Sequence, residues 1–309
     1  MLHRSAPDQG WEIAEARPHP LLRPGVHGYR GIRLALRRPR RRLELPTGEV
    51  TLFLGLDHRI RIHEPAATRS AADGPPAAGV RSAAVRSASY GSLLSGPRTR
   101  ASTGEHDGEL FGVEVVMAPW AAYRLFGLPM AELAGRAVEL DAVLGDRAAR
   151  TLTAGLTAAP DWPQRFAALD VALCRLGGPG PDPAPQVLGA WGELVRTAGL
   201  VSIRRLAEDS GWSWRRLDRA FQEQVGLGPK AVARVLRLRH CLRLTSQGRP
   251  PAEVAAVTGF YDQAHLCREF RAMTGLSTGQ FLAGRQTANP GPPALDRLSG
   301  EVTSVVLPP

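Results

Sequence analysis

The sequence predicts an α+β protein of two domains: an N-terminal small β-sheet or barrel with helices packed on it, then an all-α C-terminal domain. Three observations point there. Short β-type runs separated by turn residues crowd residues 27–117, and helix-period runs replace them from residue 118 onward. Between two groups of helices lies GGPGPDPAP (177–185), with four Pro and three Gly in nine residues, as expected of a linker. A chain of 309 residues can bury two ordinary cores. The expected divisions are residues 1–180, 181–285 and a tail, 286–309.

The β-type runs are RLELPTGEVTLFLGL (42–56), RIRIH (59–63), SYGSLL (89–94) and ELFGVEVVM (109–117). The last breaks strict alternation at Gly112, which predicts a bulge there. PAATRSAADGPPAAGVRSAAVRSAS (65–89) has hardly any large apolar residue and reads as a mobile loop. APWAAYRLFGL (118–128) opens the helical part, with Pro119 in the first turn and Gly127 as the stop. MAELAGRAVEL and DRAARTLTAGL follow as helices. DWPQRFAALDVALCRL (161–176) then places Phe166, Leu169, Leu173 and Leu176 on one face behind an Asp161 cap.

Seven more helical pieces follow the linker: PQVLGAWGELVRTAG, SIRRLAEDSG, SWRRLDRAFQEQVG, PKAVARVLRLRHCLRLT, PPAEVAAVTG, DQAHLCREFRAMTG and TGQFLAGR. The Pro-rich tail from Gln286 is expected to be disordered.

Charge narrows the function. The formal charge is +10, and residues 200–285 hold 14 basic against 7 acidic side chains, whereas residues 1–199 hold 24 against 20. A polyanion would bind the C-terminal third. Lys230 is the only lysine; the abundance of Arg follows the Ala/Gly/Pro/Arg bias of the whole chain and carries little weight by itself. Cys174, Cys241 and Cys267 are widely spaced without CxxC, so neither a disulfide framework nor a zinc site is indicated. No apolar run approaches the ~20 residues of a membrane span, and the N-terminus lacks the apolar core of a signal peptide. A cytoplasmic protein is expected.

The motif that carries chemistry is a repeat. DSGWSWRRLDRAFQEQVG (209–226) and VTGFYDQAHLCREFRAMTG (257–275) share Gly, Leu, Arg, Phe and a closing Gly, with Phe221 and Phe270 49 residues apart. In each copy a short helix ends at Gly211 or Gly259, four residues after Ala207 or Ala255. The next helix starts at an N-cap, Ser213 or Asp262. With Leu217 and Phe221 inward, Arg215, Arg219 and Gln222 face outward. The same wheel exposes Ala264, Arg268 and Arg271 in the second copy, with Gln263 and His265 on its flanks. A short helix, a tight turn and a helix with a polar outer face describe a helix-turn-helix, whose second helix enters the major groove. Arg can take guanine, Gln adenine, and Ala264 a thymine methyl. PKAVARVLRLRHCLRLT (229–245), as one helix of roughly 24 Å, would hold two such readers on one face of a duplex. The C-terminal domain is therefore expected to be a double helix-turn-helix.

SIRRLAEDSGWSWRRLDRAFQEQVGLGPKAVARVLRLRHCL and EVAAVTGFYDQAHLCREFRAMTGLSTGQFL closely resemble the AraC/XylS family of bacterial transcription regulators, over residues 185–284. The resemblance implies base contacts at Arg215, Asp218 and Arg219 in the first reader and at Gln263, Ala264 and Arg268 in the second. Gln222 and His265 join them as base-reading candidates. Phosphate contacts are expected from Ser202, Arg204, Arg205, Ser213, Trp214, Arg216, Arg234 and Arg271. One departure is Thr278, where the family has Pro soon after the closing Gly. YRGIRLALRRPRRRLELPTGEVTLFLGL and PWAAYRLFGLPMAELAGRAVELDAVLG also resemble the sensor half of an AraC-type subgroup, which implies a cupin-like barrel that binds an effector or dimerises.

Blander readings compete with several features. RRPRRR (37–42) leads into a strand and reads as a solvated edge. His58 and His63 face opposite sides of a β-run, which argues against a shared metal. Cys267 reads as a small helical side chain, with a redox switch beside Arg268 as its alternative. Ser213 caps a helix and lacks the base a nucleophile needs. A DNA-repair enzyme fused to the reader would need a thiolate, yet no Cys precedes Cys174. A non-sensing dimerisation domain remains open beside the sensor. The expected partner is double-stranded DNA; RNA polymerase and a small-molecule effector are further candidates, with no cofactor, no metal, no membrane, and either a monomer or a homodimer.

Overall fold

A computed structural model describes residues 1–65, 86–177, 180–286, 296–298 and 300–307. The N-terminal part contributes strands β1 (Leu2–Ala6), β2 (Trp11–Ala16), β3 (Val26–Ala35), β4 (Arg40–Glu44), β5 (Val50–Gly55), β6 (Ile60–Glu64), β7 (Arg86–Tyr90), β8 (Ser92–Ser95), β9 (Ser102–His106) and β10 (Glu109–Met117). Helix α1 (Pro119–Phe126), strand β11 (Ala137–Glu139), and helices α2 (Leu140–Leu144), α3 (Asp146–Ala158) and α4 (Trp162–Leu176) complete it. The C-terminal helices are α5 (Pro185–Arg196), α6 (Ile203–Ser210), α7 (Trp214–Gln224), α8 (Pro229–Ser246), α9 (Pro251–Val257), α10 (Gln263–Thr274) and α11 (Thr278–Gln286), and β12 (Ser304–Val306) is the last of the described elements.

Two antiparallel sheets face each other. One has the order β1-β2-β3-β10-β5-β8-β11, the other β12-β4-β9-β6-β7. Ile32, Leu34, Phe53, Leu93 and Leu110 from the first meet Ile62 and Tyr90 from the second in a buried cluster. The outer face of the first sheet is covered by α4. Trp162 lies flat on β3 because Gly31 leaves room, a Cβ there standing 2.2 Å from the indole. Tyr29 stacks on Phe166 at 5.9 Å, and Trp162 Nε1 donates to Glu12 at 2.9 Å.

Several expectations are corrected. The register of β10 on β3 shifts at Val116/Met117, not at Gly112. Gly112 instead admits the Phe53 ring, 2.7 Å from where its Cβ would stand. MAELAGRAVEL is no helix: it splits into a 3-10 turn (Met130–Glu132) and β11, followed by α2. Its Gly135 takes φ 70°, which ends the turn and lets Val138 pair with Leu94. Of the expected mobile loop, residues 66–85 lie outside the described residues, but Arg86–Ser89 belong to β7 and pair with β6.

The tail is also corrected. Its described residues are ordered by pairing: Ser304–Val306 add a strand to the edge of β4. Val302 and Val305 are buried against Leu43, Leu45 and Phe281. Low apolar content hid this, because a three-residue strand needs only an open edge and two valines. Residues 287–295 lie outside the described residues.

Candidate nucleic-acid interface

All seven helical pieces after the linker form helices, and both turns are built alike. Gly211 and Gly259 take φ 68° and 71°, the left-handed conformation in which a side chain is strained. Ser213 accepts from the Arg216 N–H at 3.4 Å, and Asp262 from the His265 N–H at 2.6 Å. Ser202 caps α6 through the Arg205 N–H. Leu217 and Phe221 anchor α7, while Leu266 and Phe270 anchor α10; all four are essentially fully buried.

That anchoring turns a polar face of each reader outward. On α7, Arg215, Arg219 and Gln222 are exposed, whereas Asp218 is half-buried with its carboxylate close to Gly228. On α10, Gln263, Ala264, Arg268 and Arg271 are exposed. His265 is half-buried: its ring sits edge-on to Phe260 at 5.4 Å, and Nδ1 accepts from the Tyr261 N–H at 3.4 Å. Tyr261 itself is 93% exposed beside the start of α10, a projecting aromatic.

The phosphate candidates differ in freedom. Arg204 and Arg205 lie exposed on α6 with loose contacts to Glu208 (3.6 Å) and Asp209 (3.5 Å). Arg216 covers Trp212 at 4.2 Å, and Trp214 is 40% exposed. Arg234 is already engaged, its Nε donating to Glu269 at 2.8 Å. Ser202 and Ser213 have their hydroxyls committed to caps.

Thr278 in place of Pro proves harmless. Ser277 Oγ accepts from the Gln280 N–H at 3.2 Å while Gln280 Oε1 accepts from the Ser277 N–H at 2.9 Å, a reciprocal capping box that starts α11 without proline. The motif S-x-x-Q was visible in GLSTGQF.

The readers are fastened to the rest of the chain. Leu217, Phe221 and Val225 share one buried cluster with Tyr123, Met130 and Leu133. Tyr123 Oη donates to Glu223 at 3.1 Å, and the Ala184 N–H donates to Gln224 Oε1 at 2.9 Å. On α8, Arg239 meets Glu49 at 3.2 Å and Glu301 at 3.4 Å, and donates to the Thr47 carbonyl. Near α10, the Ala101 N–H donates to the Met273 carbonyl at 2.8 Å. Long-range pairs such as these have no local sequence signal.

Between the sheets lies a cavity of about 110 Å³. Its apolar wall includes Ile32, Leu34, Phe53, Ile62, Leu93 and Leu110. Its polar wall is a buried ionic network: Arg297 meets Glu114 at 2.6 Å and Glu44 at 2.8 Å, Arg42 meets Glu44 at 2.6 Å, and Arg30 meets Glu114 at 3.6 Å. Burial alone would raise the Glu114 pKa, but Arg297, Arg30 and Arg42 together hold it below the ordinary carboxylate value. His106 lines the same cavity and is pushed down to about 4, by burial first and then by Arg42 and Arg40.

Among the described residues, no group of three or more His, Cys, Asp or Glu is placed to hold a metal. The three cysteines are unpaired, and burial pushes the Cys241 thiol up to about 11, which makes it a poor nucleophile at neutral pH. No helix among the described residues is long and apolar enough to cross a membrane.

The family described as "Helix-turn-helix domain" matches residues 206–284. Residues 206–284 are a helix-turn-helix domain. The chain is 36% identical over 66 residues to the uncharacterized HTH-type transcriptional regulator YbfI of Bacillus subtilis, covering 21% of this chain and 24% of that protein. To the HTH-type transcriptional regulator GlxA of Rhizobium meliloti it is 35% identical over 89 residues, 28% of this chain and 26% of that one. The chain thus spans about a quarter of the length of these curated relatives. Among solved structures, a probable AraC family transcriptional regulator from Rhodopseudomonas palustris is 27% identical, covering 32% of this chain and 96% of that one at a TM-score of 0.30. ToxT from Vibrio cholerae covers 80% of this chain and 96% of its own at 9% identity and a TM-score of 0.42. The matched region coincides with the double helix-turn-helix built by α6 to α11.

Proposed function

We propose that this chain is a sequence-specific, DNA-binding transcription regulator that reads two adjacent major-groove segments. Residues 181–285 act as the reader and residues 1–180 modulate it. The observation that carries the reading is the pair of exposed polar faces on α7 and α10, each behind a left-handed Gly and a side-chain N-cap, one before and one after α8 in the chain.

In this reading Arg215, Asp218, Arg219 and Gln222 read the first segment, and Gln263, Ala264, His265 and Arg268 the second. Asp218 and His265, both half-buried, hold neighbouring groups in place as much as they reach bases. Arg204, Arg205 and Arg271, with Trp214 and Arg216, fall along the backbone. The capped N-termini at Ser202 and Ser213 present their remaining N–H groups to phosphates. Arg234 contributes by fixing α10 rather than by gripping phosphate. The reading assigns the chain no catalytic reaction, and its setting is the bacterial cytoplasm.

Modulation follows from the contacts of the N-terminal part. Thr47 and Glu49 line the cavity between the sheets and also hold Arg239 of α8. A small molecule in the cavity therefore acts next to the helix that spaces the two readers.

The test is selection of duplexes from a random library by the full chain at about 150 mM salt. Two unlike blocks about one helical turn apart are expected. Retention without a motif overturns the reading, because phosphate binding alone carries no sequence information.

A further inference from the structure

We propose that Leu200 braces the two helix-turn-helices directly against each other and so fixes the spacing at which both readers engage one duplex. The inference rests on the reading of α7 and α10 as DNA readers, and it names a residue that positions them without touching DNA.

Leu200 lies in the turn between α5 and α6, two residues ahead of the Ser202 cap that opens the first helix-turn-helix. That turn is held at every step. The N–H groups of Ala198, Gly199 and Leu200 donate to the carbonyls of Val195 (3.1 Å), Leu194 (2.8 Å) and Thr197 (3.0 Å), and the Val201 N–H donates to Thr197 Oγ1 at 3.3 Å. Ala198 stands at φ 49°, alone among the described non-glycine residues in the left-handed region, a conformation that persists only where its surroundings over-determine it. Gly199 lies flat on α8, since a Cβ there would strike the Ala233 carbonyl. Backbone fixed in this way leaves little freedom in where it presents the next side chain.

That side chain reaches the other helix-turn-helix. A Cβ on Gly259 would stand 2.6 Å from Leu200 Cδ2, so the leucine methyl occupies the place where any other residue in the second turn would put its side chain. Arg237 Cδ approaches the same spot from α8, at 3.9 Å. The two copies of the repeat part company here. Gly211 and Gly259 share one backbone conformation, yet among the described residues nothing lies within 4 Å of the corresponding position on Gly211. Gly211 is required by conformation alone, Gly259 by conformation and by the space Leu200 takes. Leu200 stays 50% exposed, so it adds little to a core; its contact is with the turn.

A fixed phase follows. One extra base pair moves the second block by about 3.4 Å along the duplex and by about a tenth of a turn around it. Readers joined through α8 alone could follow by bending at its ends. Gly199 on α8 and Leu200 on the Gly259 turn add a second connection between the same bodies, and two connections remove a rotation that one leaves.

The experiment measures binding of the full chain to duplexes carrying its two blocks at the selected spacing, at one base pair more or less, and to duplexes carrying one block. The unaltered chain is expected to prefer the selected spacing by roughly tenfold or more. Leu200→Ala should reduce that preference to about threefold or less and leave single-block affinities within about twofold. Gly259→Asn should act alike, because Asn accepts the left-handed backbone while its Cβ displaces Leu200. Gly211→Asn makes the same backbone demand in open space and should keep the preference. An unaltered chain indifferent to spacing, an unchanged preference in Leu200→Ala, an equal loss in Gly211→Asn, or a parallel loss on single blocks each overturns the proposal. If Gly259→Asn does not fold, Leu200→Ala and Gly211→Asn carry the comparison. Hydrogen exchange of the free chain gives a readout independent of DNA. The Thr258 and Phe260 N–H groups, bonded to the Val254 and Ala255 carbonyls at 3.0 Å each, should exchange several-fold faster in Leu200→Ala. A chain that selects no motif overturns the DNA reading, and exchange then decides the brace by itself: faster exchange in Leu200→Ala supports it, and unchanged exchange overturns it.

Discussion

Arg234 of α8 and Glu269 of α10 are joined at 2.8 Å, so the helix that spaces the two readers is tied directly to the second of them. Arg237, one turn further along α8, is half-buried beside the same carboxylate and lies over Phe260 at 5.7 Å; its pKa is lowered chiefly by desolvation, with Glu269 acting the other way. The pair sits at the edge of solvent, where such contacts contribute about 1 kcal/mol or less to stability. Its consequence is geometric. Glu269→Gln should leave the unfolding midpoint nearly unchanged and let the full chain accept a wider range of spacings between its two blocks. Selection on libraries with varied spacers checks this, and an undiminished spacing preference would remove the tie as a positioning element.

Base reading and phosphate gripping separate by their salt dependence. Arg268 is exposed on α10 with no carboxylate at ion-pair distance among the described residues, whereas Arg204 lies on α6, behind the reading face. Arg268→Ala should cost about 1–3 kcal/mol on a cognate site and relax preference at one position. Arg204→Ala should weaken all sequences evenly and reduce the salt slope by about one. Affinities measured at several salt concentrations on cognate and scrambled duplexes distinguish the two, and a swapped pattern would exchange the roles.

The C-terminal domain was legible because its signals are local. Caps at Ser213 and Asp262, stops at Gly211 and Gly259, and the Leu/Phe spacing each lie within about one turn of the element they define, and α6, α7, α9 and α10 follow from them. The N-terminal part was legible only as β-type runs. Its pairing joins residues as distant as Glu44 and Ser304. MAELAGRAVEL misled because its helical composition is overridden where Val138 pairs with Leu94, and Ala137 N–H donates to buried Glu64 at 2.6 Å. The cavity was invisible for the same reason: Arg98, Glu44, Glu114 and Arg297 come together only when both sheets and the tail have closed.

The tail strand stabilises the second reader's support. Val305 is 2% exposed in the cluster that also holds Phe270 and Phe281. Val305→Ala removes two buried methyl groups and should cost about 2 kcal/mol. Urea unfolding followed in parallel by CD and tryptophan fluorescence checks it. A change under about 0.5 kcal/mol would mean that the strand contributes little to stability.

His106 makes stability depend on pH. Its Nδ1 accepts from the Gly108 N–H at 3.2 Å, so the folded protein uses the neutral ring, and Arg40 and Arg42 oppose a proton. The folded pKa is about 4 against 6.5 when unfolded, so between those values the unfolded chain binds the extra proton. Stability from this group is therefore full above pH 6.5 and declines as pH falls toward 4. The loss should not exceed about 3 kcal/mol, and solvent reaching the half-buried ring makes it smaller. His106→Asn keeps an acceptor for Gly108 and cannot titrate in this range. Urea midpoints at pH 7 and pH 5 should therefore differ more in the unaltered protein than in the variant, and equal differences would show that His106 takes no part in the acid response.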